Sequence, residues 1–186
     1  MKPATQYSLE LYTPIKRGRN HIANITQMAL RWRRTIRLQG GYWEGSFTIK
    51  DRLSVLQDIF YTQLGAHIEE YSHGFQTWEG LIYEMDLNDQ VGEPMLSVTV
   101  VGYVHTLNWR FVSVADGTTS DASKWISDIL DADAEFVAAK NIATNTLQVY
   151  RQVQIDQRVW DEILKITEMG DAARNLWRFY MTNGRK

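Results

Sequence analysis

From Tyr42 to Ile49 large and polar side chains alternate without a break, directly after Gly40-Gly41. A period of two commits this stretch to a half-buried β-strand with two chemically different faces. Trp43, Gly45, Phe47 and Ile49 share one face, and Tyr42, Glu44, Ser46 and Thr48 share the other. The alternation then gives way to helical spacing. Asp51 is a good N-cap, Leu53, Leu56, Ile59 and Phe60 recur on one face, and Leu64-Gly65 supplies a stop. The stretch therefore predicts turn, strand and a helix over 51–64.

The neighbouring segments read the same way. Tyr7 to Tyr12 and Trp32 to Leu38 are predicted strands. Ala66 to Tyr71 and Phe75 to Asp86 form a hairpin about Ser72-His73-Gly74, with Gly80 marking a bulge or a close backbone approach. Asn88 to Pro94 reads as a polar loop, and Met95 to Val114 as a long β segment. The texture changes at Asp116-Gly117. A helix capped by Ser120 is predicted over Asp121 to Leu130, and a strand over Leu147 to Val153. A second helix starts at Asp156 and stops at Gly170. Leu176 to Thr182 reads as a strand whose partner should follow Asn183-Gly184, a strong hairpin-turn signal. Strands cluster early and helices late, so the expected class is α+β. The expectation is a β-barrel-like domain over residues 1–115 with one inserted helix, then a smaller, possibly incomplete α+β domain over 116–186.

Composition narrows function mainly by exclusion. A formal net charge of −2 over 186 residues argues against a nucleic-acid binder that works by bulk charge. With no cysteine there is no disulfide, thiol nucleophile or zinc–cysteine site. Seven tryptophans and nine tyrosines mean an aromatic core or amphipathic partner surfaces. The N-terminus has no apolar signal segment, and the most apolar run, Leu96 to Val104, is too short to span a bilayer as a helix.

The residues that could carry chemistry do not assemble into a motif. His21, His67, His73 and His105 show no metal spacing with a third ligand, and read as ordinary surface or turn residues. The glycines match no phosphate loop, and no nucleophile elbow is present. The acids Asp128, Asp131, Asp133 and Glu135 lack the glycine and terminal glutamate of a calcium loop, and read as solvated charge at a helix end. Glu69, Glu70 and Glu79 lie on the predicted hairpin, and an enzyme would need two of them close and buried in a pocket. No catalytic, cofactor-binding or metal residue is assigned, and no cofactor is expected.

One asymmetry stands out. No acidic residue lies between Glu10 and Glu44, while Lys16, Arg17, Arg19, Arg31, Arg33, Arg34 and Arg37 all fall there. This window is a candidate partner-facing surface, because arginine and tryptophan are enriched at interfaces. The plainer reading is an edge strand whose arginines discourage edge-to-edge pairing. The functional alternative is a nucleic-acid-binding barrel that uses these arginines with Trp32 or Trp43 for phosphate contact and stacking.

The order of GGYWEGSFTIKDRLSVLQ, LGAHIEEYSHGFQTWEGLIYEM and LSVTVVGYVHTLNWR resembles phage tail hub and baseplate hub proteins, the late-control and minor tail protein group. In the second half, TTSDASKWISDIL and VWDEILKITEMGDAARNLWRFYM fit the same group. The resemblance implies a structural protein and not an enzyme. It implies a homo-oligomer, commonly a trimer, that adapts the tail tube to the tail tip, baseplate or spike around the route of tape measure and DNA. The implied location is the virion tail after assembly in the host cytoplasm, with no membrane partner. Members of the group continue with further strands. The resemblance therefore implies either a shortened hub component or a likeness of fold alone.

Overall fold

A computed structural model describes residues 7–14, 19–50, 65–88, 95–137, 139–154 and 156–181. The helix expected over 51–64, residues 89–94 of the loop expected over Asn88 to Pro94, and the Asn183-Gly184 turn lie outside them, while Asn88 itself is the last residue of a strand. The chain divides into two compact units: Met1–Arg37 with Tyr42–Gly102, and Leu38–Gly41 with Tyr103–Lys186. The class is α+β, as the order of the patterns predicts.

The first unit is a curled sheet. Its strands are β1 (Tyr7–Tyr12), β2 (His21–Asn24), β3 (Ala29–Arg37), β4 (Gly40–Lys50), β5 (His67–Ser72), β6 (Phe75–Asn88) and β7 (Met95–Val101). They pair in the order β4-β7-β6-β5-β1-β2, with β3 on the other side of β4. The alternation read in β4 is realised, since Trp43, Phe47 and Ile49 are all buried. Leu9, Leu11, Ile68, Trp78, Ile82, Leu96, Val98 and Val100 join Phe47 and Ile49 in one core. Trp32 of β3 packs edge-on against Trp78 of β6, with ring centroids 5.3 Å apart. β4 and β7 lie between those two strands in the pairing order, so the sheet must curl to bring the rings together.

The barrel-like expectation needs correction, because no ladder joins β2 to β3 among the described residues and no closed barrel is found. β2 has only four residues, and Arg31 within β3 takes a left-handed φ of 59°.

Two glycines make room for tryptophans. A Cβ on Gly80 would lie 2.4 Å from the Trp78 ring and 2.5 Å from the Val101 carbonyl oxygen. A Cβ on Gly45 would lie 2.6 Å from the Trp32 ring. Gly45→Val should therefore destabilise the protein by about 2–3 kcal/mol through overpacking. A chemical denaturation curve matching the wild type would refute this packing of Trp32 over β4.

The second unit holds a 3-10 helix (Tyr103–Trp109), β8 (Thr119–Asp121), α1 (Ala122–Asp133), β9 (Gln148–Tyr150), α2 (Val159–Met169) and β10 (Tyr180–Met181). Trp125, Ile126 and Ile129 of α1 and Val159, Ile163 and Ile166 of α2 are buried. Each set recurs at helical spacing, so each helix buries one face.

Several expected boundaries shift for local reasons. The β segment expected to reach Val114 stops at Val101, and Tyr103, Val104, Thr106 and Leu107 are then buried at the three-residue spacing of a 3-10 turn. Ser120 does not cap α1; it pairs with Val149 in the β8–β9 ladder, and Asp121 takes the cap position. Asp156 cannot open α2, because its φ is 65°. Gly170 does end α2, with φ 77° and its N–H donating to the Thr167 carbonyl. Among the described residues of the expected terminal strand, only Tyr180–Met181 is extended, and it runs parallel to Gly40–Gly41, which precede it in the chain.

Candidate functional site

Residues on β5 alternate between the two sheet faces, yet His67, Ile68, Glu69 and Glu70 are all buried. Ile68 and Glu70 face the core with their neighbours Leu11 and Leu9. His67 and Glu69 point to the opposite face. Glu79 of β6 pairs directly with Glu69. One ligand atom from each of His67, Glu69 and Glu79 lies within 4.8 Å of the others. The three residues are at most 3% exposed. The sequence reading of His67 as a surface or turn residue is thus corrected.

This face also receives Arg19, which forms an ion pair with Glu69 and lies over the Tyr12 ring. His67 Nε2 is 2.8 Å from Glu69 Oε1, and the Tyr71 hydroxyl donates to Glu69 Oε2 at 2.5 Å. The Gln76 amide donates to Glu79 at 3.0 Å. Neutral histidine and two carboxylates are donors that suit a transition metal. Here the chain supplies its own cation in Arg19, and hydrogen bonds engage both glutamates. The groove beside this cluster, about 490 Å³ and lined in part by Glu10, Tyr12, His21 and Tyr71, is not lined by any of the three. Two buried carboxylates are therefore close together, as an enzyme would require, but Arg19, His67, Tyr71 and Gln76 engage them and neither lines this groove.

On the core side Glu70 accepts hydrogen bonds from Arg34 at 2.7 Å and from the Thr77 hydroxyl at 2.9 Å. Burial, the Glu70 charge and a hydrogen bond to Glu70 push Tyr7 from the ordinary 10.0 up to about 12, against the pull of Arg34. Burial, then Glu79 and Glu70, also raises Tyr42. In the pH interval between the ordinary tyrosine value and about 12, the folded state holds a proton that the unfolded state loses. Tyr7 should therefore stay protonated there, and its contribution to stability should fall as pH rises. Spectrophotometric titration of wild type against Tyr7→Phe checks this; a wild-type phenol that titrates at the ordinary value contradicts it.

The five candidate arginines among the described residues have different surroundings, although Arg31, Arg33, Arg34 and Arg37 are all exposed on β3. Arg17 lies outside the described residues. Arg19 and Arg34 are bound to Glu69 and Glu70, and Arg37 stacks on Trp43 at 3.6 Å. Arg31 and Arg33 are exposed. Trp32 is packed against Phe47 and Trp78, and Trp43 is 9% exposed beneath Arg37. Trp32 and Trp43, the two tryptophans named with these arginines, are thus engaged in packing within the unit.

The acids of the second unit are each matched separately. Asp128 pairs with Lys124 and Arg151, Asp131 with Lys140, and Glu135 with Arg110, while Asp133 accepts from the Ser113 amide and hydroxyl. They do not converge on a cation site. Among the other histidines, His73 sits in the β5–β6 turn with φ 52°, and His21 pairs with Glu10 at 2.9 Å. Among the described residues, no helix is long and apolar enough to cross a membrane.

No known protein-family profile matches the chain, and no curated protein does. Solved structures do. A tail protein from Neisseria meningitidis MC58 is similar with a TM-score of 0.56 and 12% identity, over 87% of this chain and 45% of its own. The 43 kDa tail protein of prophage MuSo2 from Shewanella oneidensis is similar with a TM-score of 0.56 and 8% identity, over 89% of this chain and 49% of its own. The chain thus spans about half the length of these proteins and shares their fold.

Proposed function

We propose that this chain is a structural component of a phage tail. In this reading it is a hub or adaptor between the tail tube and the tail tip or baseplate, and it acts through oligomeric assembly, as a trimer. The observation that carries the reading is the likeness to two tail proteins over nearly nine-tenths of the chain. The burial of His67, Glu69 and Glu79 and their engagement by Arg19, Tyr71 and Gln76 support a structural role for this network. The partners are further copies of the chain, the tail-tube and tape-measure proteins, and tip or spike proteins. The location is the virion tail, reached by assembly in the host cytoplasm. Protein contact accounts for the exposed Arg31 and Arg33 better than nucleic acid does, since Trp32 and Trp43 are committed to internal packing.

Size-exclusion chromatography with light scattering, alone and with the tail-tube protein encoded by the same phage, tests this. A defined oligomer that co-elutes with the tube protein is expected. A strict monomer at high concentration that ignores the tube protein would overturn the reading.

A further inference from the structure

Within the first unit two strands present matching patches of opposite charge. β3 pairs along one edge only, with β4, among the described residues. It exposes Arg31 and Arg33, flanked by Leu30 at 39% and Ile36 at 54% exposure. The distal half of β6 exposes Glu84 and Asp86, flanked by Tyr83 at 57% and Leu87 at 45%. Each patch holds two like charges two residues apart, so the charges on each are spaced by about 7 Å along the strand. Neither charged pair forms an ion pair among the described residues. The other basic side chains of the segment are used differently: Arg19 and Arg34 answer buried glutamates and Arg37 covers Trp43.

We infer that β3 of one copy packs against the distal half of β6 of a second copy, joining Arg31 and Arg33 to Glu84 and Asp86. The contact rests on the assembly reading above and gives it a surface. Like charges two residues apart repel one another on each free patch, and the opposite patch relieves both at once. Arginine also pairs well with carboxylates, often through two parallel hydrogen bonds. The two patches differ from each other, so the contact is head-to-tail. Such contacts close into rings or extend into filaments according to the rotation they impose.

The test uses the full chain and three variants: Arg31→Glu with Arg33→Glu, Glu84→Lys with Asp86→Lys, and all four together. All the changed side chains are exposed, and circular dichroism checks that the variants fold. Sedimentation equilibrium over a concentration series should show wild-type self-association that weakens with salt. Each double variant should weaken it by about tenfold or more, and the fourfold variant should regain most of it. If wild type associates and folded double variants associate equally well, the contact is wrong while the assembly reading stands. If both double variants dissociate and the fourfold variant does not recover, the two patches do not meet each other. If wild type is monomeric at the highest concentration, the assembly reading falls and this contact falls with it.

Discussion

Gly102→Ala should destabilise the protein by more than about 3 kcal/mol, at the upper end of what added core volume costs. The new Cβ would lie 1.9 Å from the Tyr42 carbonyl oxygen and 2.6 Å from its carbon. Both atoms are backbone, so no rotamer change can make room. The Gly102 N–H also donates to the Trp43 carbonyl at 2.7 Å, and moving the strands apart breaks that bond. The two strands approach this closely because β7 ends here beside the start of the β4 alternation, whose first paired residue is Glu44 opposite Val101. Denaturant unfolding of the variant, or its failure to accumulate as folded protein, checks the prediction. A variant within about 1 kcal/mol of wild type would mean that β4 and β7 separate more easily than this geometry allows.

Glu69→Ala should cost about 3–5 kcal/mol, the range for breaking a buried ion pair from one side. Glu69 is fully buried and engages Arg19, His67 and Tyr71. Removing its carboxylate strands a guanidinium that is only 20% exposed. Replacing both charges together, Arg19→Met with Glu69→Leu, should recover much of the loss, because a well-packed apolar pair of similar volume avoids the desolvation penalty. Thermal unfolding of the single and paired variants separates the two effects. A Glu69→Ala variant as stable as wild type would show that Arg19 does not depend on this carboxylate.

The legible parts of this protein are those governed by local period. β1, β4 and β6 follow from alternation, the β5–β6 turn from His73-Gly74, and the end of α2 from Gly170. The role of Gly80 was also readable, since a glycine inside a strand marks a close approach. The site was harder. His67 and Glu69 two residues apart on a strand must share a face, which was available signal. Glu79 joins them only because the β5–β6 register shifts between Glu70 and Tyr71. Without that bulge Trp78 would stand opposite Glu69, and Glu79 would turn to the core face. The charge run between residues 16 and 37 shows the converse limit. Within that run, tertiary contacts tie Arg19, Arg34 and Arg37 to Glu69, Glu70 and Trp43, pairings that sequence spacing does not show.

By itself, then, the sequence determined the α+β class, the faces of the main strands, and the absence of any thiol or phosphate-loop chemistry. These depend on side-chain period and residue type, which act over a few positions. The tertiary structure decided that the described strands curl with no ladder between β2 and β3, that Arg19 answers Glu69, and that Tyr180–Met181 pairs backward with Gly40–Gly41. Each of these depends on residues far apart in the chain. Bulges, close backbone approaches and the pairing of buried charges bring them together, and all three are settled only when the strands pack.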